Sequence, residues 1–235
     1  MIYITGDTHN TIDCQKVFNF APSLSKNDYI IIAGDFGGVW YNTGSDNYKN
    51  DVALLDQYTD LECTVLFVDG NHENFSKIYA YPTIEKFGGF VGQIRENLFH
   101  LKRGYVYTIE DKKIFTFGGA LSVDKYMRMP FVSWWEEEIP TIEEMNFGME
   151  NLDEHNWKVD YVITHTAPNK IVNKILAKDK WNMWNKKQYD PTTNYLEEIM
   201  DKLKFKKWYF GHFHMDLKIN KNFIILYNNI VKIGE

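Results

Sequence analysis

The sequence predicts an α/β fold with two β-sheets, and three features predict it. Residues 1–75 alternate short apolar runs with helical patterning as βαβαβ, the pattern of a parallel sheet. Strand-like segments between residues 98 and 117, the last two joined by a charged turn, read as antiparallel pairing and call for a second sheet. Five apolar runs end in turns bearing nitrogen or oxygen donors, and in open α/β sheets the ligand crevice lies beyond the carboxyl ends of the strands.

The first run, Ile2-Tyr3-Ile4, leads to Gly6-Asp7-Thr8-His9. A helix is expected within residues 11–20, before Tyr29-Ile30-Ile31-Ile32 leads to Gly34-Asp35. Residues 37–50 are a glycine- and asparagine-rich loop with Trp40 and Tyr41, of the kind that rims a site. Val52, Leu55 and Tyr58 then share one face of a helix expected over 51–61. Val65-Leu66-Phe67-Val68 runs into Asp69-Gly70-Asn71-His72-Glu73, a buried strand ending in a tight turn. After a less regular segment come strands at Leu98–Leu101, Val106–Ile109 and 114–117, all three read as one antiparallel set. Gly118-Gly119 ends that set, and residues 120–140 make a long excursion carrying Asp124, Tyr126, Arg128, Trp134 and Trp135.

Thr141-Ile142-Glu143-Glu144 matches a capping box, and Ile142, Met145, Met149 and Leu152 continue it as a helix over 142–155. The fourth run, Tyr161-Val162-Ile163, ends at Thr164-His165. A stretch rich in lysine and tryptophan covers 170–191, and a short helix over 194–203 precedes the fifth run, Trp208-Tyr209-Phe210, which ends in Gly211-His212-Phe213-His214. Residues 217–219 and 223–227, around Asn220-Lys221-Asn222, read as a hairpin closing the second sheet.

With 235 residues, 44% hydrophobic and 25% charged, the chain is expected to form one domain, 1–235, with an ordinary core. A net charge of −6 argues against broad non-specific binding to nucleic acid, which depends on neutralising many phosphates. Cys14 and Cys63 stand far apart and outside any metal-binding spacing, so they read as free thiols of a reducing compartment. No stretch approaches the apolar length of a membrane span, and the first residues lack the basic and apolar segments of a leader, so a cytoplasmic location is expected.

The donors at the strand ends are Asp7, His9, Asp35, Asn71, His165, His212 and His214, with His72 left over; five of the seven histidines fall in these turns. Alone, Asp7 reads as a helix cap and Gly34-Asp35 as a turn. His212 and His214 say more, because alternation in an extended segment puts both on one face. Oxygen and imidazole donors without thiolate suit Mn, Fe, Zn, Co or Ni rather than structural zinc, and seven donors exceed what one tetrahedral ion uses. Two ions sharing a carboxylate account for the count. His100 and His155 fall in no motif and read as surface or partly buried residues. Trp134, Trp135, Trp181 and Trp184 read as packing residues before nucleobase stackers, and Lys178, Lys180, Lys186 and Lys187 as a solvated face. Arg128 is the better phosphate contact, because its guanidinium fork suits that geometry.

Asp7-Thr8-His9, Gly34-Asp35, Gly70-Asn71-His72-Glu73, His165 and Gly211-His212-Phe213-His214 together resemble the five motifs of the calcineurin-like metallophosphoesterases, in order, from position 7 to 214. The resemblance implies two packed mixed sheets flanked by helices, in agreement with the strand reading. It implies a first metal on Asp7, His9 and His214, a second on Asn71, His165 and His212, and Asp35 bridging them. A hydroxide held between the ions is the expected nucleophile for in-line attack, with His72 protonating or hydrogen-bonding the departing oxygen. Two divalent ions outweigh Asp7 and Asp35, so the site favours an anionic substrate although the chain is acidic.

Two positions depart from the family pattern. Gly38 stands where many members carry an aspartate that orients the catalytic histidine, so the partner of His72 must come from elsewhere. The arginine that follows in Ser/Thr protein phosphatases is missing from Gly38-Val39-Trp40, which counts against that branch despite Glu73. The expectation is a phosphomonoesterase or phosphodiesterase acting on a small or nucleotide-like substrate with two divalent ions, Mn first and Fe, Zn, Co or Ni as alternatives. A nuclease of the same fold, a Ser/Thr protein phosphatase and a non-catalytic protein-binding scaffold are the other readings.

Overall fold

The computed structural model describes residues 1–177 and 190–235. Lys178, Lys180, Trp181, Trp184, Lys186 and Lys187, which carried expectations above, lie outside the described residues.

Strands β1 (Ile2–Thr5), β2 (Tyr29–Ile32) and β3 (Thr64–Phe67) are parallel neighbours joined through α1 (Gln15–Phe20) and α2 (Tyr48–Thr59), as the βαβαβ pattern predicts. They are apolar at almost every position because both faces of the sheet are covered. Ile30, Ile32, Val65 and Phe67 pack outward against Val17, Leu54, Leu55 and Tyr58 of the two helices. Ile31 and Leu66, one residue out of phase, pack inward against the second sheet with Ile114, Ile163 and Tyr209. Truncating either inward residue to alanine would cost about 2–5 kcal/mol, since both are fully buried.

A short helix α3 (Phe75–Ile78) follows the third strand, and then come β4 (Thr83–Lys86), β5 (Gly89–Gln93) and β6 (Leu98–Leu101). These three extend the first sheet: β6 lies parallel to β3, with Leu66 opposite Phe99, and β5 and β4 follow antiparallel. The expectation that Leu98–Leu101 belongs with the second sheet is therefore corrected. All four of its residues are buried, so nothing in its local pattern names its partner, and Arg103-Gly104 carries the chain across to the other sheet. The strands β4 and β5 were hidden in the less regular segment by Gly88, Gly89 and Gly92, which break the apolar alternation.

The second sheet begins with the expected hairpin of β7 (Val106–Ile109) and β8 (Lys112–Phe117). The helix α4 (Ile142–Glu154) is closed by the capping box: the Glu144 amide donates to Thr141 Oγ1 at 3.2 Å and the Thr141 amide to Glu144 Oε2 at 2.8 Å. Then come β9 (Tyr161–Thr164), α5 (Asn169–Leu176), α6 (Pro191–Lys202), β10 (Lys207–Phe210), β11 (Leu217–Lys218), β12 (Phe223–Ile225) and β13 (Val231–Lys232). The helix α6 starts earlier than its pattern suggested, because Asp190 caps the Thr192 amide and Pro191 presets the first turn. β8, β9, β10 and β12 run parallel with β7 and β11 antiparallel at the edges, while β13 returns to pair with β1. Leu152, Ile171, Ile175, Leu196 and Ile199 cover the outer face of this sheet. The result is two packed mixed sheets flanked by helices.

Candidate metal centre

Each predicted donor sits just past the carboxyl end of a parallel strand: Asp7 after β1, Asp35 after β2, Asn71 after β3, His165 after β9 and His212 after β10. The glycines of the motifs let these loops interlock. A Cβ on Gly70 would land on the Asp35 carboxylate, one on Gly34 on the His165 ring, and one on Gly211 on the Asp7 carboxylate. Each glycine thus yields its side-chain space to a donor from another loop. Backbone strain marks the same place: His9, Asp35, His212 and His214 all have positive φ, at 41°, 49°, 68° and 48°. Such conformations cost energy and persist where the surroundings over-determine them.

Asp7, His9, Asp35 and His214 each bring one donor atom within 4.8 Å of the others. A second group adjoins it. His165 Nε2 is 3.1 Å from Asn71 Oδ1 and 3.3 Å from Asp35 Oδ1, and the rings of His165 and His212 meet edge to face with centroids 5.0 Å apart. Asp35 faces both groups, with Oδ2 3.2 Å from His9 Nε2 on the other side. That Oδ2 is buried and, among the described residues, has no hydrogen-bond partner, which is costly for a carboxylate oxygen unless a cation meets it. The residues therefore fit a pair of divalent ions.

Supporting contacts orient the donors. His9 Nδ1 is 2.7 Å from Asp13 Oδ2, and His165 Nδ1 donates to the Ala33 carbonyl at 2.9 Å, leaving Nε2 of each ring toward Asp35. The Asp7 carboxylate accepts the amide of His212 at 3.0 Å, and Asp35 Oδ1 the amide of His72 at 2.7 Å. Glu73 takes the amides of Phe36 and Gly37, at 2.7 and 3.0 Å, and so pins the turn that holds Asp35. Asn71 Nδ2 donates to Ser122 Oγ at 3.1 Å. Asp13 lies four residues after His9 and was visible in principle; Ser122 and Glu73 act across long sequence separations and carry no local signal.

His100, read as surface or partly buried, is instead fully buried, its Nε2 3.0 Å from Asp69 Oδ1. Arg103 closes on the other Asp69 oxygen from Nε and Nη2, at 2.8 and 2.5 Å. Trp135 is buried and donates to Ser76, a packing role as expected.

The charged side chain that meets the His72 ring is Arg128. Its guanidinium lies along His72, with Nη1 2.9 Å from Nδ1 and Nη2 3.1 Å from Nε2, and its Nε donates to Asp124 at 2.8 Å. A neutral imidazole has one accepting nitrogen, so one of the two His72 contacts is a hydrogen bond and the other a close approach. Burial pushes the His72 pKa down and Arg128 adds to it against Asp35, to about 4.

A family model of the calcineurin-like phosphoesterases matches residues 1–216. The chain belongs to the calcineurin-like phosphoesterases. No curated protein matches it. Membership brings metal-dependent hydrolysis of phosphate esters and two divalent metals as the family habit, to which the donor cluster conforms. Among the described residues, no helix is long and apolar enough to cross a membrane.

Proposed function

We propose that this calcineurin-like phosphoesterase hydrolyses a small or nucleotide-like phosphomonoester or phosphodiester at a two-metal site. Asp7, His9 and His214 hold one ion, Asn71, His165 and His212 the other, and Asp35 is shared. The observation that carries the reading is the position of Asp35, one oxygen toward His9 and the other toward His165. Manganese is the first candidate metal. Two such ions supply a water acidic enough to attack at neutral pH and positive charge for the phosphoryl oxygens.

The chain's own groups complete the site on the His72 side. His72 would assist the departing oxygen, and Arg128, whose Nη1 and Nη2 lie along the ring, brings the positive charge that a phosphoryl oxygen pairs with. An aspartate at position 38 would favour an imidazolium; the arginine here favours the neutral ring.

The test is a hydrolysis panel with manganese: an aryl monoester, an aryl diester, cyclic nucleotides, single-stranded DNA and a phosphopeptide. Faster turnover of the small esters and nucleotides is expected. Preference for the DNA would favour the nuclease reading, preference for the phosphopeptide the protein phosphatase, and no turnover of any by metal-loaded protein the scaffold.

A further inference from the structure

Asn71 has one face that suits a cation and one that repels it, since its side chain ends in a carbonyl oxygen and an NH₂ of nearly equal size. Which end turns inward is decided by its neighbours. On the side away from His165 the amide meets Ser122 Oγ at 3.1 Å. Ser122 is itself held by Glu138, whose Oε1 accepts the Ser122 amide at 2.9 Å and whose Oε2 accepts the Ser122 hydroxyl at 2.6 Å. All three residues are buried, with exposures of 5%, 1% and 0% for Asn71, Ser122 and Glu138.

The direction of this chain is set at its far end. A carboxylate only accepts, so it takes the single hydroxyl proton of Ser122. With that proton committed, Ser122 Oγ offers Asn71 lone pairs alone, and Asn71 must answer with NH₂. Its oxygen is then turned toward His165, 3.1 Å from the ring Nε2.

We propose that Ser122 and Glu138 are positioning residues for the second metal: they hold Asn71 with its oxygen, rather than its NH₂, toward the cation. The inference rests on the two-ion reading above. The same pair joins the two ends of the segment bearing Arg128, where the Ala120 amide also donates to the Glu138 carbonyl at 3.1 Å. The ligand and the substrate arm therefore share one anchor.

The experiment is a manganese titration of metal-depleted protein, resolving the tighter and weaker uptake steps, with thermal melts of every variant. Ser122→Ala is expected to leave one step as in wild type and weaken the other about 10–100-fold, the usual effect of losing an outer-shell partner. Glu138→Gln, whose NH₂ can donate to Ser122 and reverse the chain, is expected to act in the same direction. Ser122→Thr, which keeps the hydroxyl, should restore wild-type uptake. In an Asn71→Ala background, Ser122→Ala should add nothing further. Unchanged uptake by Ser122→Ala and Glu138→Gln overturns the proposal. So does weakening of both steps together, with or without a lowered melt, or an added loss in the Asn71→Ala background. A wild-type protein that takes up fewer than two ions overturns the two-ion reading itself, and is told apart because no variant is needed to see it.

Discussion

Arg128 lies against His72, its Nη1 2.9 Å from the ring Nδ1 and its Nη2 3.1 Å from Nε2. Arg128→Ala is expected to lower kcat/KM about 10–100-fold, the scale of a charge-assisted hydrogen bond, with bound metal unchanged. Arg128→Lys should recover only part of this, since an ammonium lacks the fork. Steady-state kinetics beside metal analysis would read it; metal loss in step with activity would move Arg128 into a structural role.

Gly70 leaves the space that the Asp35 carboxylate fills. Gly70→Ala is therefore expected to displace Asp35 and weaken both ions together. Equilibrium dialysis against manganese would show it, and retention of two ions would mean that the loops have more slack than their contacts suggest.

Glu73 satisfies the buried turn after Asp35 through the amides of Phe36 and Gly37. Removing it as Glu73→Ala leaves two donors without partners, a loss of about 1–3 kcal/mol of stability. Urea unfolding of the metal-free protein measures this; a change within a few tenths of a kcal/mol, about the error of such a comparison, would deny Glu73 that role.

Asp69 offers a pH signature. Burial pushes its carboxyl up, but Arg103 and His100 prevail and hold it at about 2. An unfolded aspartate titrates near about 4. A lowered folded value means that the ionised group's stabilisation is present above about pH 4 and is lost as pH falls toward about 2. The stability gap between wild type and Asp69→Asn should accordingly be widest near neutral pH and narrow below about pH 4. A gap that does not change with pH would contradict the ion pair.

The candidate donors stood out in the sequence because each is announced locally, by an apolar strand, a turn and a donor. The segment read as extended at His212 and His214 is instead a turn, with φ of 68° and 48°, so strand alternation is not what brings the two imidazoles together. What escaped is what joins distant segments. The strand β6 is buried on both faces and so carries no mark of its sheet, and His100 looked ordinary because Asp69, its partner, is thirty-one residues away. Arg128 was singled out for the fork of its side chain, whereas its place beside His72 came only from the folded path of residues 120–140.

The central claim is that Asp35 is shared between two cations. Crystals grown with manganese and measured for anomalous scattering test it directly. The account predicts two peaks about 3.5–4 Å apart, one against Asp7, His9 and His214, the other against Asn71, His165 and His212, with the Asp35 carboxylate between them, one oxygen toward each. A single peak, or two peaks of which only one touches Asp35, would contradict it.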